Sequence, residues 1–222
     1  MAELTTAAEP FRFYARMHLT ELTGLRAANL VQLVRLLKSV PGGSIYYHTH
    51  RFLQQHQYLS PEPPNDFAYW VREILGEDEL GERLASIDII QFSTIRSLRE
   101  RIIETIEEYL EQRPEAKMRF APEGGELHFK KAVSFILPTQ YISYDLREFV
   151  DVLKRITIDS IYFHIFEARL RLEKKTNDFS NWIENAVGNR ELALSIAHLD
   201  PYVYTLEDLR QTITDLIERE IR

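Results

Sequence analysis

Two blocks of this chain occur twice. Ser44-Ile45-Tyr46-Tyr47-His48 returns as Ser160-Ile161-Tyr162-Phe163-His164, and Asn65-Asp66-Phe67 with Trp70 returns as Asn177-Asp178-Phe179 with Trp182. A repeat this long, present only twice, points to a duplicated domain and away from a solenoid, which stacks many short units. The offset is 116 residues (160 minus 44) from Phe13 and Phe129 through Leu30 and Leu146 to His48 and His164. It falls to 112 (178 minus 66) beyond Ser60-Pro61-Glu62-Pro63-Pro64, and to 111 (205 minus 94) at Thr94 and Thr205. Such changes belong in loops, where added length costs little. The reading gives a first repeat over 1–112 with a tail at 1–10, a linker at 113–126 and a second repeat over 127–222, packed together as one globular unit.

Within each repeat the apolar residues follow helical spacing. Leu30, Leu33, Val34 and Leu37, like Leu146, Phe149, Val150 and Leu153, form one stripe of a helix. Second helices are expected from Ser44 and Ser160. Third helices run from Asp66 and Asp178 and end in left-handed glycines at Gly76 and Gly188. Short fourth helices pass through Leu80 and Leu192, and last helices start at Thr94 and Thr205. Ahead of them, Phe11-Arg12-Phe13-Tyr14 and Leu127-His128-Phe129-Lys130 alternate as short strands do. The fold class expected is mainly α within α+β: two duplicated helical bundles related by a pseudo-two-fold, with a small β-sheet from short strands preceding each bundle.

Composition narrows the chemistry. The chain has 222 residues, 45% of them hydrophobic, enough for a substantial core, and no cysteine, which removes disulfides, thiolate metal sites and a cysteine nucleophile. A formal charge of -7 disfavours nucleic acid and anionic lipid as partners. The Met1 to Thr6 start lacks the pattern of a secretory signal and no apolar run is long enough for a bilayer, so a cytoplasmic protein is expected.

The repeated histidines, His48 and His164, are the sharpest candidates for a site. In one reading their ring nitrogens bond to Asp66 and Asp178; in the other they serve as metal ligands, joined by Glu167, His50 and His56, for a divalent transition metal. No H-E-x-x-H signature is present, and no cofactor is expected. Asp66 and Asp178 are read as helix caps, with acid-base work as the alternative. Arg99 and Arg210, placed where a positive charge opposes a helix dipole, call for an anionic partner, either Asp88 and Asp200 or a bound anion. Tyr46, Tyr47, Trp70, Tyr162, Phe163 and Trp182 are core aromatics or the walls of a cleft for a sugar or nucleoside.

The S-I-Y-Y-H and N-D-F-x-x-W blocks and their recurrence resemble a prokaryotic family of duplicated proteins known only as a domain of unknown function, over about Phe11 to Ile221. The resemblance implies a bacterial or archaeal origin and a soluble intracellular product, and supplies no site residue. The expected function is therefore a non-catalytic binding or regulatory module for a protein partner or small ligand, a monomer with an internal pseudo-two-fold or a homodimer. The alternative is a metal-dependent enzyme or metal sensor.

Overall fold

The computed structural model describes residues 6–55, 65–168, 170, 176–199 and 204–222, with the backbone alone at 51–55 and 90. Among the described residues two strands pair in one sheet: β1, Phe11–Ala27, and β2, Leu127–Ser143. The first repeat supplies α1 (Leu30–Ser39), α2 (Gly42–Gln55), α3 (Asp66–Tyr69), α4 (Asp78–Ala85) and α5 (Ile95–Gln112). The second supplies α6 (Leu146–Leu153), α7 (Ile158–Tyr162), α8 (Asp178–Trp182), α9 (Arg190–Ala197) and α10 (Leu206–Glu220). Three of these continue as π-helical turns: α3 through Trp70–Ile74, α7 through Phe163–Glu167 and α8 through Ile183–Val187.

Local chemistry accounts for the boundaries. Asn29 caps α1 by accepting from the Gln32 N–H at 2.9 Å, and Asp145 caps α6 by accepting from Glu148 at 2.8 Å. Thr205 caps α10, its hydroxyl accepting from the Asp208 N–H at 3.1 Å and donating to the Asp208 carboxylate at 2.7 Å. Gly76 and Gly188 take φ of +68° and +82°, the left-handed ends that the third helices require.

The sheet departs from the expected fold class. In place of a short strand leading each of two bundles, each strand is 17 residues long and the two pair with one another. Thr23 Oγ1 donates to the Phe129 carbonyl at 2.6 Å and Thr139 Oγ1 to the Phe13 carbonyl at 2.7 Å, so an antiparallel register holds from end to end. Alternation marks only the first few residues of each strand, where one face is buried. Beyond them both faces are largely open, and backbone pairing continues without a hydrophobic pattern to announce it.

The described residues fall into two units that cut across the sequence repeats. The carboxy-terminal unit contains 6–17 and 134–222, and the amino-terminal unit 18–55 and 65–133. The expected pair of bundles, each with its own strand, is thereby replaced. In the carboxy-terminal unit, Phe11 and Phe13 from the first repeat lie 5.3 and 5.1 Å from Phe149 of the second, ring centre to ring centre. Phe149 also stacks on Trp182 at 5.1 Å and meets Phe179 edge-on. In the amino-terminal unit, Phe129 from the second repeat packs against Phe67 and His48. Phe13, Phe129, Phe149 and Phe179 are almost wholly buried, each contributing roughly 1.5–3 kcal/mol.

Candidate functional site

His164 sits on the π-helical turn after α7 and is 2% exposed. Its Nδ1 lies 2.7 Å from Asp178 Oδ2, and its Nε2 accepts the backbone N–H of Tyr14 at 2.9 Å. A ring nitrogen that accepts from an N–H carries no proton, so the proton sits on Nδ1 and is donated to the carboxylate. His48 repeats this arrangement in the amino-terminal unit, with Asp66 Oδ2 at 2.8 Å and the Lys130 N–H donating to Nε2 at 3.0 Å. Each histidine thus fastens a strand to the third helix of its unit, and its lone pair is already in use.

The other residues singled out from the sequence are placed as follows. Glu167 is buried in an ion pair with Arg16 of β1. His50 lies in the amino-terminal unit, stacked on Tyr46 at 5.1 Å and 2.8 Å from Thr49 Oγ1. His48 and His50 therefore belong to one unit and His164 and Glu167 to the other, and His56 lies outside the described residues. Among the described residues no group of three or more His, Cys, Asp or Glu side chains could hold a metal ion. The caps expected at Asp66 and Asp178 are instead Asn65 and Asn177, which accept from Ala68 and Ser180 at 2.8 Å. In an Asn-Asp pair either residue can cap; the extended backbone of the first takes that role, and the aspartate one position on turns to the histidine.

Arg99 donates to the Val40 carbonyl at 2.8 Å, and Arg210 to those of Leu153 and Ile156 at 3.0 and 2.8 Å. Both guanidinium groups satisfy carbonyls at the carboxy-terminal ends of α1 and α6, where the helix dipole favours a cation. Asp88 accepts from Gln91 Nε2 at 2.8 Å, and Asp200 lies outside the described residues. Of the aromatic candidates, Tyr46, Trp70, Tyr162, Phe163 and Trp182 are buried and Tyr47 is half-buried. The indole N–H groups of Trp70 and Trp182 donate to the Gly125 and Glu9 carbonyls, each at 2.7 Å.

Phe163, His164, Asp178 and Trp182 also meet in one place, along a cleft of about 730 Å³ in the carboxy-terminal unit. Glu9, Phe11, Arg12 and Tyr14 from the strand side and Asn181 and Asn185 from α8 and its π-helical turn also line it. The volume lies inside the roughly 300–1,000 Å³ of small-molecule sites. Two π-helical turns border it, Phe163–Glu167 and Ile183–Val187, a distortion that recurs at functional positions. Asn185 Nδ2 donates to the Asn181 backbone carbonyl and Oδ1, at 2.8 and 3.0 Å.

Sequence reasoning missed Arg12, Asn181 and Asn185. It sought residues that the two repeats share, whereas these positions correspond to His128, Tyr69 and Glu73 in the other repeat. The one informative signal was that divergence, read against a constant background.

The model of a family of unknown function, DUF5752, matches residues 8–218. The chain belongs to that family. Among solved structures, this DUF5752 chain is similar to OrfY from Thermoproteus tenax, at 28% identity over 98% of each chain and a TM-score of 0.81. Among curated proteins none matches. Among the described residues no helix is long and apolar enough to cross a membrane.

Proposed function

We propose that this protein is a non-catalytic binding module, built by internal duplication and acting in the cytoplasm, that takes a small ligand in the cleft of its carboxy-terminal unit. One observation carries the reading: the cleft is lined by hydrogen-bonding groups left over after the fold is satisfied. Among the described residues the Arg12 guanidinium, the Tyr14 hydroxyl, Asn181 Nδ2 and Asn185 Oδ1 have no partner within the protein. By contrast, His164, the residue best suited to proton transfer or metal binding, is committed on both ring nitrogens, as His48 is where the cleft residues differ. A site with its acid-base group locked and its rim unspent suits recognition better than turnover.

Titration with a mixture of small polar fragments, followed through the Trp182 indole N–H resonance, tests the reading. Fragments that shift this resonance in the parent protein should lose their effect in Asn181→Trp, which fills the cleft from an exposed position. Shifts absent at Trp182, or unchanged in Asn181→Trp, would remove the cleft as a ligand site.

A further inference from the structure

We infer that the ligand of this cleft is a neutral carbohydrate of one or two rings, an inference that rests on the cleft being a binding site. The lining has the two-sided chemistry of a sugar ring. A pyranose offers an apolar face of C–H groups and a rim of hydroxyls, each both donor and acceptor. Here Phe11, Phe163 and Trp182 supply an aromatic wall, and Tyr14, Asn181 and Asn185 supply groups that donate and accept.

Charge separates this class from its competitors. Among the described residues the lining carries one cation, Arg12, against two carboxylates, Glu9 and Asp178, so a phosphate or carboxylate ligand meets no net attraction. The chain as a whole, at -7, repels anions as well. A cationic amine, which the aromatic wall and the carboxylates would otherwise attract, meets the Arg12 guanidinium in the same cleft. A neutral ligand with many hydroxyls suffers neither conflict, and the amide pair suits it: with Asn185 Nδ2 occupied by Asn181, Asn181 Nδ2 remains as donor and Asn185 Oδ1 as acceptor, one turn apart on a helix.

The other repeat supplies an internal control. Both units carry the histidine-aspartate pair, the strand N–H on Nε2 and the tryptophan bonded to a carbonyl, so these belong to the framework. The rim differs: where the cleft has Tyr14 and Asn185, the corresponding positions are Lys130, whose ammonium lies over the Tyr47 ring, and Glu73, bonded to Arg72 at 2.7 Å. Those groups are spent locally, whereas among the described residues the Tyr14 hydroxyl, Asn181 Nδ2 and Asn185 Oδ1 are not. Recognition therefore belongs to the residues that diverged.

The experiment is a titration read at the Trp182 indole N–H, with glucose, maltose, a soluble α-glucan, glucose 6-phosphate, uridine and putrescine as probes. The neutral sugars should shift the resonance saturably, and Asn181→Ala combined with Asn185→Ala should weaken them at least about tenfold, from two lost hydrogen bonds, without changing Tm. Glucose or maltose alone would mark a free sugar, and the glucan a sugar unit within a polymer; both support the class. Preferential binding of the phosphate, uridine or putrescine at Trp182 would overturn the carbohydrate and leave the cleft standing. Silence from every probe while the fragment mixture still shifts Trp182 would likewise overturn the sugar alone; silence from the fragments too would remove both.

Discussion

An imidazole nitrogen has either a lone pair or a proton to offer, and in His48 and His164 both nitrogens have given theirs to the fold. Truncating either residue strands a backbone N–H and a carboxylate and opens a cavity beside a phenylalanine. His48→Ala and His164→Ala should each cost about 2–4 kcal/mol in urea unfolding, with Tm falling by about 5–15 °C. A chelator should leave the parent curve unchanged; a chelator-dependent loss would show that a bound metal supports the fold. Tyr109 makes a second case. Burial, reinforced by its 2.6 Å hydrogen bond to Glu77, pushes its phenol up from 10.0 to about 12. The folded state holds this proton more tightly than the unfolded chain does, so the contribution is full below pH 10 and fades as pH climbs toward 12. Its loss should amount to about 2 kcal/mol, and Tyr109→Phe should flatten that part of the stability profile. Pairing of the histidines with Asp66 and Asp178 was legible from the repeat. Their second partners were not, because a backbone N–H carries no residue identity, and neither was the Asn181 and Asn185 rim, which only divergence marks.

Helix positions were the most legible elements, since stripes such as Leu30, Leu33 and Leu37 recur with their caps and terminal glycines. Strand length was the least, because only the ends of β1 and β2 have a buried face to write into the sequence. The π-helical turns were equally silent: a single extra residue per turn leaves the apolar spacing almost unaltered over five residues. One element boundary has a side-chain reason that can be tested. A Cβ placed on Gly43 would stand 2.8 Å from the Ala132 carbonyl of β2, so the start of α2 meets the strand only because residue 43 has no side chain. Gly43→Ala should therefore destabilise by roughly 1–3 kcal/mol despite its gain in helix propensity, measured by urea unfolding. An unchanged or raised midpoint would mean that β2 gives way at no cost.

At the scale of the molecule, the repeat in the sequence and the unit in the structure are different objects. The blocks repeated in the sequence suggest a division near residues 113–126, but the carboxy-terminal unit is closed by residues 6–17, which precede the second set of blocks. Phe11 and Phe13 pack against Phe149 and Phe179, the Tyr14 N–H satisfies His164, and the Glu9 carbonyl satisfies Trp182. A fragment cut at the sequence boundary, 127–222, therefore lacks two core aromatics and leaves two buried polar groups without partners, a combined loss of several kcal/mol against a total stability of about 5–15 kcal/mol. That fragment should unfold without a cooperative transition and expose apolar surface to a hydrophobic dye. A synthetic peptide of residues 6–17 added in excess should restore cooperativity, because it returns these groups and stabilises the fragment by mass action. The same peptide with Phe13→Ala should fail at equal concentration. Cooperative unfolding of 127–222 alone, measured by circular dichroism, would show that the repeat can close its own core and that the strand segment adds only surface.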